Sequence, residues 1–423
     1  MTRLTFTAAL LAVAMVSAAC GPGSGVGADA TRPMSSDSVS SADPTASDPG
    51  ISADPAGSPG PGASSEPDLS ESPPGSVEPT SGPSSPPTEP SGSSGLGEST
   101  PDIPEPTEIG RGTPTWVSLE SSSAAPSARE DHTWTVDAAG TSAYLFGGRS
   151  GADSFEDLWR YDLATDSWTA LEPTGDAPEA RFGHVAVWVD DLGLVIWSGQ
   201  RGSDFFSDLW AYDPSADEWR ELPSSGEAPA ARYGACGALA PGGQLWVSHG
   251  FTDSGRFSDT RSYDFAAGTW TEQVSDAAER PIQRCLHDCL WTPAGELLLY
   301  AGQTDGVTSL GDLWKLSVET AGSATWQKQP DPEPPARNLY ALAQVGDRAY
   351  VFGGTGNDAT RLNDLWTLDL GGLRWQQAVP DGEAPPARSG ATLVSDPQRD
   401  RLLLFGGRTD DAALSDLWQL DLG

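Results

Sequence analysis

Six arginines recur along the chain at nearly constant intervals: Arg129, Arg181, Arg232, Arg284, Arg337 and Arg388, spaced by 52, 51, 52, 53 and 51 residues. A guanidinium group offers paired donors that match a carboxylate or a sugar acid. Six of them in a ring would make an anion site. The same regularity fits a second role, in which each Arg pairs with an Asp or a loop carbonyl of its repeat and locks one unit to the next. Strict repetition favours the second role.

The other reactive side chains are few. Four histidines occur, and His132, His184 and His287 each lie three residues after one of these arginines, so they read as packing groups. His249 is the fourth. No Ser–His–Asp order is diagnosable, and no catalytic residue is assigned. Acidic stretches such as Asn357-Asp358 and Thr409-Asp410-Asp411 lack calcium-loop spacing, so neither a metal nor a cofactor is expected. Cys285 and Cys289 are too far apart in an extended strand to bond each other. A disulfide from Cys236 to Cys285 or Cys289 is expected outside the cytoplasm, leaving one cysteine over.

Further markers recur at the same period of about 51 residues. An apolar run ends at Gly147-Gly148, Ser198-Gly199, His249-Gly250, Ala301-Gly302, Gly353-Gly354 and Gly406-Gly407. Asp-Leu-Trp follows at 157–159, 208–210, 312–314, 364–366 and 416–418, with Asp259-Thr260-Arg261 in the third copy. Trp168, Trp219, Trp270, Trp326 and Trp375 come nine to twelve residues later. These features closely resemble the kelch repeat. The resemblance implies four-stranded blades of a β-propeller, as in the central domain of galactose oxidase. The residues agree on their own: short β-branched, aromatic or Leu-rich runs closed by glycine read as strands, and self-similarity of this length reads as a repeat architecture. The copper site and extra β domains of galactose oxidase are not evident.

The sixth copy stops at Gly423, after its third strand. An orphan Trp strand, Thr115 to Leu119, sits at the other end. An all-β, six-bladed propeller is therefore expected over residues 113–423, its last blade completed by the Trp116 strand. In each blade, with strands a to d, the longer b–c and d–a loops share one face, and binding residues concentrate on such loops. Phe155, Phe206, Phe257, Leu310, Leu362 and Leu414 recur there and read as packing. Arg149, Arg201, Phe205, Arg256, Asp305, Asn357, Arg361 and Arg408 differ between blades and are the candidate ligand contacts. The six repeating arginines are a candidate ring at the channel mouth.

Residues 1–19 read as a signal peptide, with Arg3 before an apolar run and small residues before Cys20. They resemble a bacterial lipoprotein signal, which implies lipidation of Cys20. Ser17 stands where that signal usually has an aliphatic residue, so ordinary cleavage after Ala19 and secretion is the alternative. Residues 20–112, rich in Ser, Pro and Gly and without Trp, cannot bury enough apolar surface to fold and read as a disordered tether. The net charge of −36 argues against nucleic-acid and anionic-lipid partners, leaving the lipid anchor as the expected membrane contact. The expected function is a monomeric, extracytoplasmic binding module for a protein or glycan, with no catalysis implied. Its rival is a carbohydrate-active enzyme similar to periplasmic kelch proteins that epimerise sialic acid, with the arginine ring as anion site.

Overall fold

The computed structural model describes residues 112–120, 124–273, 279–320 and 323–423, and these are all-β. The signal peptide, Cys20 and the tether lie outside the described residues. Six four-stranded blades form the ring. Blade 1 comprises Thr133–Val136, Ser142–Phe146, Leu158–Asp162 and Ser167–Leu171. Blades 2 to 5 repeat this order, with inner strands Val185–Val189, Cys236–Leu239, Asp288–Trp291 and Ala341–Val345. Blade 6 takes Thr392–Asp396, Arg401–Phe405 and Leu417–Asp421 from the C-terminus. Its outer strand is Thr115–Leu119, antiparallel to Leu417–Asp421, with Trp116 opposite Leu420 and Leu119 opposite Leu417. The ring thus closes as the orphan strand predicts.

Local chemistry explains each blade. The second strand is buried along nearly its whole length, as in Gly193–Trp197 and Arg401–Phe405. It is covered by a neighbouring blade on each face, so it is apolar at every position rather than alternating. In blades 1 to 3 the third strand ends in an Asp that caps the following turn. Asp162 accepts from the Ala164 and Thr165 N–H groups, Asp213 from Ser215 and Ala216, and Asp264 from Ala266 and Ala267. These are Asx turns, which fix the tight c–d connections.

Backbone hydrogen bonds tie the blades together around the axis. One residue per blade lies in the left-handed region just before the inner strand: Asp131, Gly183, Gly234, Leu286, Leu339 and Gly390. Each donates its N–H to the carbonyl of the preceding one, Gly183 to Asp131, Gly234 to Gly183 and so on to Asp131 to Gly390, at 2.8–3.1 Å. The result is a closed ring of six hydrogen bonds. The glycines in it sit beneath neighbouring side chains: a Cβ on Gly183 would lie 2.0 Å from the Tyr233 ring, and one on Gly390 2.7 Å from Asp131 Oδ1.

The Cys236–Cys289 disulfide joins the inner strands of blades 3 and 4, with a Cα–Cα distance of 5.6 Å. Of the two pairings open from sequence, the structure forms this one. Cys285 is buried outside the bridge. The bridge spans 53 residues, and the chain-entropy treatment assigns a loop of that length about 4 kcal/mol.

Candidate functional site

The six repeating arginines are buried, each 0–1% exposed. Arg129 shows the pattern. Its Nη1 donates to Asp157 Oδ1 at 2.6 Å and to the Gly147 carbonyl at 2.9 Å, its Nη2 to Asp157 Oδ2 at 2.7 Å, and its Nε to the Ser127 carbonyl. Arg181, Arg232, Arg284, Arg337 and Arg388 repeat this with Asp208, Asp259, Asp312, Asp364 and Asp416. The recurring apolar loop residue completes the arrangement: Phe155, Phe206 and Phe257 stack on Arg129, Arg181 and Arg232 at 4.3, 4.1 and 3.9 Å. The lock that strict repetition favours is therefore what the structure shows, and the alternative, an open anion ring at the channel mouth, is corrected. Internal carboxylates and carbonyls already take its donors, and the inner strands begin only four residues later.

The same Asp carboxylates accept a Trp Nε1–H in five blades, as Asp157 does from Trp159 at 2.6 Å. In blade 3 Arg261 stands in the Trp position and donates its Nε to Asp259 at 3.0 Å. A guanidinium N–H replaces an indole N–H, which explains the divergent Asp259-Thr260-Arg261. His249 is equally structural. It occupies the left-handed position (φ 59°) of a Gly-Gly pair, is fully buried, and meets His287 edge to face at 5.4 Å. Burial, reinforced by nearby arginine charge, pushes His132 and His249 down to about 3, and burial also drives His184 and His287 well below the usual histidine range. All four are neutral packing groups.

The axial channel encloses about 270 Å³. Asp131, Leu286 and Leu339 line it from the ring of left-handed residues, Tyr233 lines it beside Gly234, and Asp288 lines it from the inner strand of blade 4. Burial pushes Asp288 up to about 7. Among the described residues no cluster of three or more His, Cys, Asp or Glu side chains is arranged to hold a metal.

The variable loop residues separate into three groups. The b–c loops of blades 1 to 3 are themselves two-residue-strand hairpins, such as Arg149–Ser150 with Asp153–Ser154, which hold them rigid. Asp305 and Asn357 serve the backbone: Asp305 accepts from Val307 and Thr308, and Asn357 Oδ1 accepts from the Ser309 N–H at 2.6 Å. Arg201 pairs at the rim with Glu179. Phe205 and Arg256 both pack on Phe251, at 6.1 and 5.4 Å.

The third group converges. Arg149 of blade 1, Arg408 of blade 6 and Arg361 of blade 5 all act on the buried carboxylate of Glu130. Arg408 Nη1 lies 3.4 Å and Arg149 Nε 3.6 Å from Glu130 Oε1. Arg149 also pairs with Asp131 at 2.9 Å and stacks over Phe182 at 4.5 Å. Arg361 bonds Ser389 and the exposed Asp410. Tyr233 donates its hydroxyl to Asp131 at 3.3 Å. Sequence reasoning missed Glu130 and Asp131. The signal was present, because only the first of the six arginines is followed by two acids; the others are followed by Phe-Gly, Tyr-Gly, Cys-Leu, Asn-Leu and Ser-Gly.

The chain is similar in sequence to proteins named for kelch domains. The chain is 29% identical to Kelch domain-containing protein 2 of Bos taurus over 306 residues, covering 63% of this chain and 73% of that protein. It is 30% identical to Kelch domain-containing protein 1 of Mus musculus over 277 residues, 57% of this chain and 66% of that protein. It is 26% identical to the Leucine-zipper-like transcriptional regulator 1 homolog of Drosophila melanogaster over 295 residues, 66% of this chain but only 29% of that protein. Residues 111–292 and 274–423 match the KLHDC2/KLHL20/DRC7 Kelch-repeats domain, and with six such blades in place this chain belongs to the Kelch-repeat propeller family.

Proposed function

We propose that this chain is a lipid-anchored, extracytoplasmic binding protein whose loop face engages an anionic group of a protein or glycan through Arg149, Arg361 and Arg408. Kelch propellers are typically protein-interaction modules, which supports the general class. One observation carries the finer reading. Residues 113–423 hold 46 acids against 21 bases, yet three arginines from blades 5, 6 and 1 gather at one mouth of the ring. They break the repeat pattern, as residues shaped for an asymmetric ligand do. Their side chains are 12–18% exposed, so desolvation strengthens their pairing with an incoming carboxylate.

The signal-like residues before Cys20 and the Cys236–Cys289 bridge support the location, since disulfides persist in oxidising compartments. Metabolic labelling with a fatty-acid analogue should mark the full chain and fail on Cys20→Ala; a Cys20→Ala chain that still carries label overturns the anchor. For the site, partners cross-linked to the intact chain should be lost, with affinity down about tenfold or more, in the Arg361→Ala/Arg408→Ala variant. Unchanged capture by a folded double variant would remove the arginine arc from the function.

A further inference from the structure

We propose that Glu130 is an internal occupant of the anion site formed by Arg149, Arg361 and Arg408, and that an anionic ligand binds by exchange with it, Glu130 taking up a proton from solvent as it gives up the guanidinium groups. This inference rests on the reading of the arginine arc as the ligand site.

The geometry separates the two acids of blade 1. Asp131 is fixed: its Oδ2 takes Arg149 Nη2 at 2.9 Å and the Tyr233 hydroxyl at 3.3 Å. Glu130 is buried as deeply, with its side chain 3% exposed, but its ion-pair contacts are long, 3.4 Å to Arg408 and 3.6 Å to Arg149. A buried carboxylate with such loose partners is costly to keep charged. The groups facing it are Asp131 from its own segment, Arg149 from the blade 1 hairpin, Arg408 from blade 6 and Arg361 from blade 5. Burial first, and then Asp131, push Glu130 up; the three arginines pull it down; the balance leaves it at about 7. The other anion on the arc, Asp410 on Arg361, is 81% exposed and readily displaced.

A ligand carboxylate on Arg408 and Arg361 neutralises the charges that keep Glu130 ionised, so Glu130 protonates on binding. The only bond made is its O–H. Below neutrality Glu130 is already protonated and the arginines are available. Above it, ligand and Glu130 compete. For a group titrating at about 7, the competent fraction falls about tenfold between pH 6 and pH 8.

The test is calorimetry on the intact chain with a short peptide carrying two Asp and one Phe, at pH 6 and pH 8, in buffers of different ionisation heat. Binding about tenfold tighter at pH 6, with close to one proton taken up per peptide at pH 8, is the expected result. Glu130→Gln should bind at pH 8 as tightly as the parent does at pH 6 and show no pH dependence. It also separates Glu130 from Asp288, the channel carboxyl that titrates in the same range. If Glu130→Gln fails to fold, proton uptake by the parent chain still decides. Tight binding without pH dependence or proton uptake overturns the exchange and leaves the arginine arc standing. No binding at either pH overturns both.

Discussion

Removing the chain up to Leu119 is expected to unfold the whole propeller, not to fray one blade. The strand Thr115–Leu119 supplies five registered pairs to Leu417–Asp421 and a two-residue parallel contact with Asp381–Gly382. Its Trp116 is 3% exposed and meets Phe352 of blade 5 edge to face at 5.2 Å, inside a cluster that includes Leu402, Trp418 and Leu420. Without it, Leu417–Asp421 becomes a bare edge with Trp418, Leu420 and Phe352 uncovered, and a bare apolar edge aggregates. Because the ring closes by hydrogen bonds from each blade to the next, opening blade 6 releases constraints on blades 5 and 1 as well. Trp116→Ala alone should cost about 3–5 kcal/mol. Thermal unfolding followed by circular dichroism, with size-exclusion chromatography, checks this. The truncated chain should lose its cooperative transition or aggregate, and a synthetic peptide of the strand should partly restore it. A truncated monomer melting with the parent would show that the ring does not depend on this closure.

Breaking one of the repeated Arg–Asp locks is expected to have the next largest effect. Asp312→Ala leaves the fully buried Arg284 guanidinium without its two-point partner and removes the acceptor of the Trp314 indole N–H. Losing one partner of a buried ion pair costs about 3–5 kcal/mol. Asp312 itself is 18% exposed, so water repays part of this and the lower end is expected. Arg284→Met with Asp312→Leu should cost less than Asp312→Ala, because it removes both charges together. Denaturant titration of the three chains checks the order; equal stability of Asp312→Ala and the parent would reduce the lock to decoration. The pH dependence has a definite sign. Burial alone would raise Asp312, but the hydrogen bonds and charge of Arg284 outweigh it and hold the carboxyl below its usual value. Asp157, Asp208, Asp259, Asp364 and Asp416 are lowered in the same way. A folded-state value below the unfolded one gives stability present above the unfolded range and lost as acid protonates the carboxyl. The four buried neutral histidines add in the same direction, since unfolding lets each take a proton once the pH falls below the ordinary histidine value.

The repeat made the architecture legible in advance. Blade number, strand order and the closing strand all follow from markers spaced by local chain geometry, because each blade is built from neighbours in sequence. The same markers left two roles open for the repeating arginines. Strict repetition of the guanidinium favours a blade lock over a channel group, and the Asp carboxylates meeting it, 27 or 28 residues on, decide for the lock. Arg261 looked like a lost Trp until the structure showed that it supplies the same N–H to Asp259.

What the sequence by itself determined was the repeat, the number of blades, the closure and the set of residues that vary between blades. The tertiary structure alone decided which of those variable residues meet. Arg149, Arg361 and Arg408 stand far apart in the chain, and they converge because closure sets blades 5, 6 and 1 side by side around one axis. It also decided that Cys236 bonds Cys289 rather than Cys285, and that Glu130 stands buried between arginines of blades 1 and 6. Spacing along a chain fixes periodic local structure. Charge pairing and burial depend on distances across blades, which exist only once the ring has closed.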